Sequence, residues 1–255
     1  GNVNVYRISG SKNLFPLKAF LKAWGLQRKR KYSHIWAIMA NWAGFAALFF
    51  KMKFPSVKLI LTLQEGDPIE YIKRKVWFVY PLFKKIFIKA DTIQTISNYL
   101  ADWARDMGHK GKVEIIPNGV DFKKFNGPST ASDENVILIT TSRLEEKNGI
   151  VDVIDALPLL PDNVKFKIIG SGSLVTKLNN KVKEHKLQSR VKFLGFLDQK
   201  EIPAHLHASH IFIRPSLSEG MGNSFIEAMA AGLPVLTTPV GGIPDFLSDP
   251  DKNKE

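Results

Sequence analysis

His210-Ile211-Phe212-Ile213-Arg214-Pro215-Ser216-Leu217-Ser218-Glu219-Gly220-Met221-Gly222-Asn223-Ser224-Phe225-Ile226-Glu227-Ala228-Met229-Ala230 passes from an apolar run through a glycine-containing turn into an amphipathic stretch. The run is short and rich in β-branched and aromatic residues, as buried parallel strands are. Beyond the turn, Phe225, Ile226, Met229 and Ala230 recur at helical spacing. The reading is strand, turn, helix. Such a turn leaves the first helical N–H groups unpaired, with the positive end of the helix dipole behind them, which is a site for a phosphate. Glu219 and Glu227 flank it and can accept hydrogen bonds from hydroxyls, while Gly220 and Gly222 let backbone approach a ligand closely. Phosphate and polyol in one place suggest a nucleotide sugar. An ordinary strand–turn–helix with two surface glutamates has the same pattern, so these residues alone leave both readings open.

The same alternation runs along the whole chain. Strands are expected at 3–8, 34–40, 57–63, 91–96 and 113–116, and again at 136–141, 164–169, 191–196, 210–215 and 234–239. Helices are expected between them, near 13–30, 42–53, 69–89, 98–108, 150–160, 174–187, 200–209 and 223–231. Strict alternation means a doubly wound parallel α/β sheet, here occurring twice. Ser97 is an N-cap for a helix that stops at Gly108. The apolar run Ile35–Phe50 has 16 residues, fewer than the roughly 20 a bilayer span needs, and contains Asn41. It reads as a strand, an Asn41 cap and a buried helix.

Charge divides the 255 residues. Residues 1–126 hold 22 Lys/Arg against 8 Asp/Glu, and residues 127–255 hold 14 against 16. A break of that size places one domain at 1–126 and another at 127–255, with polar Gly127–Asp133 as the linker. Zero cysteines exclude a disulfide framework and thiolate metal sites, and fit a cytoplasmic protein. The basic first half suggests an anionic partner. Lys18, Lys22 and Arg28–Lys31 interleave with Phe20, Leu21 and Trp24. Lys73–Lys75, Lys84, Lys85 and Lys89 interleave with Trp77, Phe78, Tyr80, Phe83 and Phe87. Residues 18–31 and 73–89 therefore suit a peripheral position on an anionic membrane, with a solvated helix face over a core as the competing reading. No nucleic-acid motif accompanies the charge, so nucleic acid is not an expected partner.

Further candidates sit at strand ends, where open α/β sheets bind ligands. Arg143 and Lys147, in Ser142-Arg143-Leu144-Glu145-Glu146-Lys147-Asn148-Gly149, are suited to clamp a diphosphate. Two solvated basic residues are the alternative. Gly170-Ser171-Gly172 lacks the third glycine and the acidic residue of a dinucleotide fingerprint, and suits a tight turn and close packing near a ligand. His205, His207 and His210 lack the helical pairing of a zinc site, Asp249-Pro250-Asp251 lies in a polar tail, and no nucleophile-elbow string is present. No metal site and no cofactor is expected.

Five motifs then stand in order: Pro117-Asn118-Gly119-Val120-Asp121, Ser142-Arg143-Leu144 with Lys147, Gly170-Ser171-Gly172, Phe193-Leu194-Gly195, and Glu219-x7-Glu227-Ala228-Met229-Ala230 followed by Gly232, Pro234 and Val235. Their order and spacing resemble the retaining glycosyltransferases of family 4, with the GT-B fold, over nearly the whole chain. That resemblance implies two Rossmann-like domains facing a cleft, the first holding a lipid-linked or polysaccharide acceptor and the second a nucleotide-diphosphate sugar. It implies catalytic roles for Glu219, Arg143 and Lys147, with Arg143 and Lys147 on the diphosphate and Glu219 on the sugar hydroxyls. Gly222, Asn223 and Ser224 would support the donor together with Asn118, Glu227 would hold the ribose, Gly170 and Gly172 would line the nucleotide pocket, and Leu197 would lie near the base.

Some departures from the family pattern are visible. Its first strand and glycine-rich loop are not evident before Gly1, and its last elements are not evident before Glu255, so both domains are expected to be incomplete. Asp245 stands where Glu is common, and Leu63-Gln64-Glu65-Gly66-Asp67 stands where a His often follows a first-domain strand. Gln64 and Glu65 are the candidates for acceptor contact. A GT-B epimerase or phosphorylase, or a non-catalytic sugar- or membrane-binding fragment, are the competing functions.

Overall fold

Among the described residues, nine parallel strands form where β-branched and aromatic residues run together, and they divide between two sheets. A computed structural model describes residues 3–247 of the chain. Packing separates it into two compact units, one ending at Pro117 and the other beginning at Asn118.

In the first unit α1 (Phe15–Arg30) precedes β1 (His34–Ile38), α2 (Trp42–Lys53), β2 (Lys58–Leu63), α3 (Ile69–Lys75), α4 (Tyr80–Lys89), β3 (Thr92–Thr95), α5 (Asn98–Asp106) and β4 (Lys112–Ile115). The four strands lie in sequence order, every pair parallel. Helix α2 packs against both α1 and α4. Leu59, Leu61 and Leu63 of β2 are fully buried, as are Phe83, Ile86 and Phe87 of α4. Phe87 meets Trp103 of α5 edge to face at 5.0 Å, an arrangement the ring quadrupoles favour. Asn41 caps α2 by accepting from the Ala43 N–H at 3.1 Å, and the buried face of α2 is Phe45, Ala47, Leu48 and Phe50. The run 35–50 is thus strand, cap and buried helix, and no helix among the described residues is long and apolar enough to cross a membrane.

The second unit contains α6 (Phe122–Phe125), β5 (Val136–Thr141), α7 (Ile150–Ala156), β6 (Val164–Ile169), α8 (Val175–Glu184), β7 (Val191–Gly195), α9 (Ile202–His207), β8 (Ile211–Arg214), α10 (Asn223–Ala230) and β9 (Val235–Thr237). Its sheet order is β7-β6-β5-β8-β9, again all parallel. The chain winds outward from β5 in one direction, then returns to lay β8 on the other side. One sheet face buries Phe166 and Ile168 with α7 and α8, and the other buries Ile139 and Phe212 with α9 and α10. The point between β5 and β8 is the topological switch point, where such sheets leave a crevice at the strand ends.

The expected strands from 34 onward appear within two residues of their limits. Three expectations are corrected. Residues 3–8 are not a strand; they carry no ladder pairing, and Val3 and Val5 are exposed. The expected helix 69–89 breaks into α3, a 3-10 turn at Trp77–Val79 and α4. Pro81 has no N–H to give the preceding turn, and its ring crowds the carbonyl four residues back, so the helix restarts there. The segment 127–133 is not the junction between units. The Thr130 N–H donates to His207 O at 2.8 Å, and Phe125 lies in the core of the second unit, so the packing break falls at Pro117–Asn118 rather than at 126.

Phe83 is enclosed by Phe45, Phe87 and Trp103. Phe83→Ala is expected to cost about 3–5 kcal/mol through lost burial and the cavity left behind. Urea unfolding should show a lower midpoint at unchanged slope; a shift worth under about 1 kcal/mol would contradict this packing.

Candidate functional site

Three loops meet at the C-terminal ends of β6, β5 and β8. The loop after β5 carries Arg143 and Lys147, and the loop after β8 carries Glu219. They are joined through backbone: the Leu217 N–H donates to Lys147 O at 2.7 Å, and Gly149, at φ 66°, sits so close to Pro215 O that a Cβ there would collide with it. The buried Asn148 amide donates to Arg143 O and holds the loop from inside. The Arg143 side chain is exposed, its guanidinium 3.6 Å from the Glu145 carboxylate. The loop after β6 joins in the same way. At Gly170 (φ 135°) a Cβ would strike Ser142 O, and at Gly172 one would strike Leu144 O; the Leu144 N–H donates to Ser171 O at 2.9 Å. Both glycines thus serve backbone-on-backbone packing at the place expected to line a pocket.

At the end of β8 stands a residue to which the sequence reading gave no role. Arg214 is 5% exposed. Its Nη2 donates to Glu219 Oε2 at 2.7 Å, its Nη1 to Ser224 Oγ at 2.8 Å and its Nε to Ser216 Oγ at 3.1 Å. The guanidinium carbon lies 4.1 Å from the centre of the Phe225 ring, within cation–π range. Burial draws the guanidinium below its ordinary value and the Glu219 carboxylate pushes it back; arginine stays charged under both influences. The available signal was a lone arginine closing an apolar strand before Pro215, since a charge in that position must either leave the core or be paired inside it.

Glu219 is correspondingly held. One oxygen takes Arg214, the other accepts from the Gly220 N–H at 3.1 Å, and its side chain is 16% exposed. Gly222 precedes α10 at φ 82°, where a Cβ would meet both Phe225 and the Arg214 guanidinium. No side chain caps α10, so its N-terminal turn keeps the polarity expected for an anion site. Asn223 is exposed at the first position; its Oδ1 accepts from Asn118 Nδ2 at 3.0 Å. Glu227 lies further along α10 and accepts from Gln199 Nε2 at 3.3 Å, which turns it towards the loop after β7, where Leu197 packs on the core. The two glutamates therefore have separate partners: Arg214 for Glu219 and Gln199 for Glu227. Thr140, Thr141 and Ser142, at the end of β5, have buried hydroxyls with no hydrogen-bond partner in the protein. Such groups keep unused capacity for a bound molecule or water.

Gln64 and Glu65 belong to the first unit. The Gln64 side chain is exposed, whereas the Glu65 carboxylate is buried and accepts from the Ala40 N–H at 2.6 Å and the Gln64 N–H at 2.9 Å, tying the loops after β1 and β2 together. Burial pushes its pKa up to about 7 against the lowering effect of those backbone bonds. The three histidines are engaged separately. His207 bonds Phe125 O at 2.7 Å, His210 accepts from the Ile137 N–H at 3.0 Å, and burial lowers His205. Among the described residues no cluster of three or more His, Asp or Glu could hold a metal ion, and Asp249 and Asp251 lie outside those residues.

Two parallel α/β units, the second with loops converging on its switch point, make this a GT-B architecture. Sucrose-phosphate synthase from Thermosynechococcus elongatus superposes with a TM-score of 0.80 at 21% identity, over 92% of this chain and 64% of its own. HepE from Anabaena, in complex with UDP and glucose, gives 0.76 at 21%, over 94% and 67%. The family description "Glycosyl transferases group 1" matches residues 121–253, and "Glycosyltransferase Family 4" matches residues 2–124. The chain belongs to the group 1 glycosyl transferases. Among its relatives, a phosphatidylinositol N-acetylglucosaminyltransferase subunit from Arabidopsis thaliana is 34% identical over 142 residues, 54% of this chain and 32% of the relative. The amylovoran biosynthesis glycosyltransferase AmsK of Erwinia amylovora is 32% identical over 146 residues, 53% and 36%. The chain spans about a third of the length of each.

Arg214→Ala should cost about 3–5 kcal/mol, because it strands a partly buried Glu219 charge. Arg214→Met with Glu219→Met should recover much of that loss; equal losses in urea unfolding for the single and double variants would refute the coupling. For Glu65 the folded pKa lies above the unfolded one, so the unfolded chain gives up its proton first as pH rises. Stability of the first unit should fall between roughly pH 4.5 and 7 and then level off, and Glu65→Gln should flatten that slope. A wild-type profile without that fall would remove the assignment.

Proposed function

We propose that this chain carries the donor-binding and part of the acceptor-binding machinery of a glycosyltransferase. The enzyme moves a hexose from a nucleoside-diphosphate sugar to a lipid-linked or polysaccharide acceptor, with retention of configuration. The observation that carries this reading is the junction of the Arg143–Lys147 loop with the Glu219 loop beside the uncapped start of α10. Two cations and a helix N-terminus suit a diphosphate, and a carboxylate held on the same loop suits sugar hydroxyls.

In this reading Arg143 and Lys147 bind the diphosphate and take up the charge that grows on it as the glycosidic bond breaks, the dominant catalytic contribution. Backbone at Gly222 and Asn223 and the Ser224 hydroxyl support the phosphates, with Asn118 bracing Asn223. Glu219 accepts from the sugar hydroxyls. Glu227 accepts from the ribose, Gly170 and Gly172 shape the nucleotide side, and Leu197 lies against the base. The first unit holds the acceptor, with Gln64 nearest to solvent and Glu65 setting the loop. The chemistry asks for neither metal nor cofactor.

Two relatives motivate the acceptor class, one named for transfer to phosphatidylinositol and the other for polysaccharide biosynthesis. The similar fold solved with UDP makes uracil the first base to test. The place of action in this reading is the cytoplasmic face of a membrane, with the cations of residues 18–31 and 73–89 towards anionic lipid.

The test is release of nucleoside diphosphate from UDP-sugars by the full-length protein. Lys147→Ala and Glu219→Ala should each lower kcat/KM by about 10²–10³-fold, and wild-type turnover in either variant would sink the assignment. Glu227→Ala should weaken binding of UDP more than that of 2′-deoxy-UDP, as calorimetry can read directly. The anomeric proton of the product, followed by NMR, reports retention or inversion.

A further inference from the structure

The two basic stretches of the first unit look alike in sequence, but the fold treats their aromatic residues differently. In α1, Phe20 stacks on Trp24 at 5.8 Å and meets Phe49 of α2 at 6.4 Å. Trp24 is further covered by Lys53 and Arg28, both within cation–π range of its ring. In α4, Phe83 and Phe87 are fully buried. Of the aromatics in these two stretches, the ones left exposed are an adjacent pair, Trp77 and Phe78, at 75% and 70% exposure in the turn between α3 and α4. Their rings touch edge to face at 6.2 Å, which makes one apolar tip.

The charge flanking that tip in the sequence is almost all positive, with Asp106 acting on Lys73 and Asp67 on Lys75 from outside the stretch. Lys73, Arg74 and Lys75 come before it, and Lys84, Lys85 and Lys89 after it. The one acid between 69 and 89 is Glu70, already held by Lys73 at 2.7 Å. An exposed tryptophan beside a phenylalanine, flanked in sequence by lysine and arginine on both sides, matches the layering of an anionic bilayer surface: phosphate outside, hydrocarbon just beneath. We infer that the Trp77–Phe78 turn is the element of the first unit that enters the headgroup layer of an anionic membrane, with the flanking cations on the lipid phosphates. This inference deepens the membrane part of the proposed function and is independent of the donor site, because every residue it uses lies in the first unit.

Flotation of the full chain with vesicles of phosphatidylcholine containing phosphatidylglycerol as the anionic lipid tests it. Binding should be strong at low salt, weak on pure phosphatidylcholine, and reduced by added salt. Trp77→Ser with Phe78→Ser should lower the partition coefficient by about ten-fold or more. Both side chains are exposed, so an unchanged circular dichroism melt is expected. Leu17→Ser with Leu21→Ser, on the exposed side of α1, should leave binding within about two-fold. Equal flotation of the turn variant and the parent overturns the inference. So does no flotation of the parent, or loss confined to the α1 variant. Parent binding to single-stranded RNA in preference to vesicles, or a dimer that the turn variant dissolves, assigns the turn to a different partner and equally overturns it. Donor hydrolysis by the turn variant at the parent's rate keeps failure here distinct from failure of the proposed function.

Discussion

A guanidinium that has lost almost all its water must find its partners within the protein, and Arg214 finds them in three directions. It reaches the Glu219 carboxylate, the Ser224 hydroxyl at the start of α10 and the Ser216 hydroxyl in the loop between, with the Phe225 ring beneath it. Leaving any of these directions unfilled would expose a buried charge to a penalty of several kcal/mol. The end of β8, the turn and the first residues of α10 are therefore spaced around one planar ion. The orientation of Glu219, and the path of backbone past Gly222, follow from that spacing.

Sheet order supplies the rest of the arrangement. Because β8 returns to the free side of β5, two loops that are far apart in sequence leave the sheet side by side, and a third arrives from β6. They are fastened by backbone as well as side chains: Leu217 to Lys147, Ser171 to Leu144, Gly149 against Pro215 and Gly170 against Ser142. The arrangement that brings Arg143, Lys147 and Glu219 to one end of the sheet is thus a consequence of topology and main-chain contact.

Most of the architecture could be read from local pattern, since β-branched runs bounded by turn residues have few other uses in a buried parallel sheet. Failures came where the outcome depends on contacts a sequence does not display. Residues 3–8 have strand composition but no ladder. Pro81 divides a stretch whose apolar pattern reads as one continuous helix. The charge break at 126 records surface composition, whereas the packing break at Pro117–Asn118 records which core takes Phe125. At the candidate site, the placement of the Arg143–Lys147 loop and of Glu219 at strand ends was legible, because each follows an apolar run that closes in a turn. Arg214 was not, because the sequence shows a charge closing a strand without showing that Glu219 and Ser224 fold back to enclose it. Trp77 and Phe87 have similar basic neighbours in sequence, yet the turn before α4 leaves Trp77 in solvent while α4 carries Phe87 into the core.

Gly241 carries a further consequence. At φ 59° it lies against the carbonyl of Glu219, where a Cβ would collide, and the Gly242 N–H donates to that same carbonyl at 3.1 Å. The carboxylate is thus fixed from in front by an arginine and from behind by main chain, like a type-slug locked in its frame. Divergence of such a scaffold towards new ligands cannot proceed by re-aiming Glu219 one substitution at a time. Variation is channelled instead to positions whose side chains face solvent, such as Leu217 in the same loop, so the inherited frame would stay recognisable long after the molecule it grips had changed.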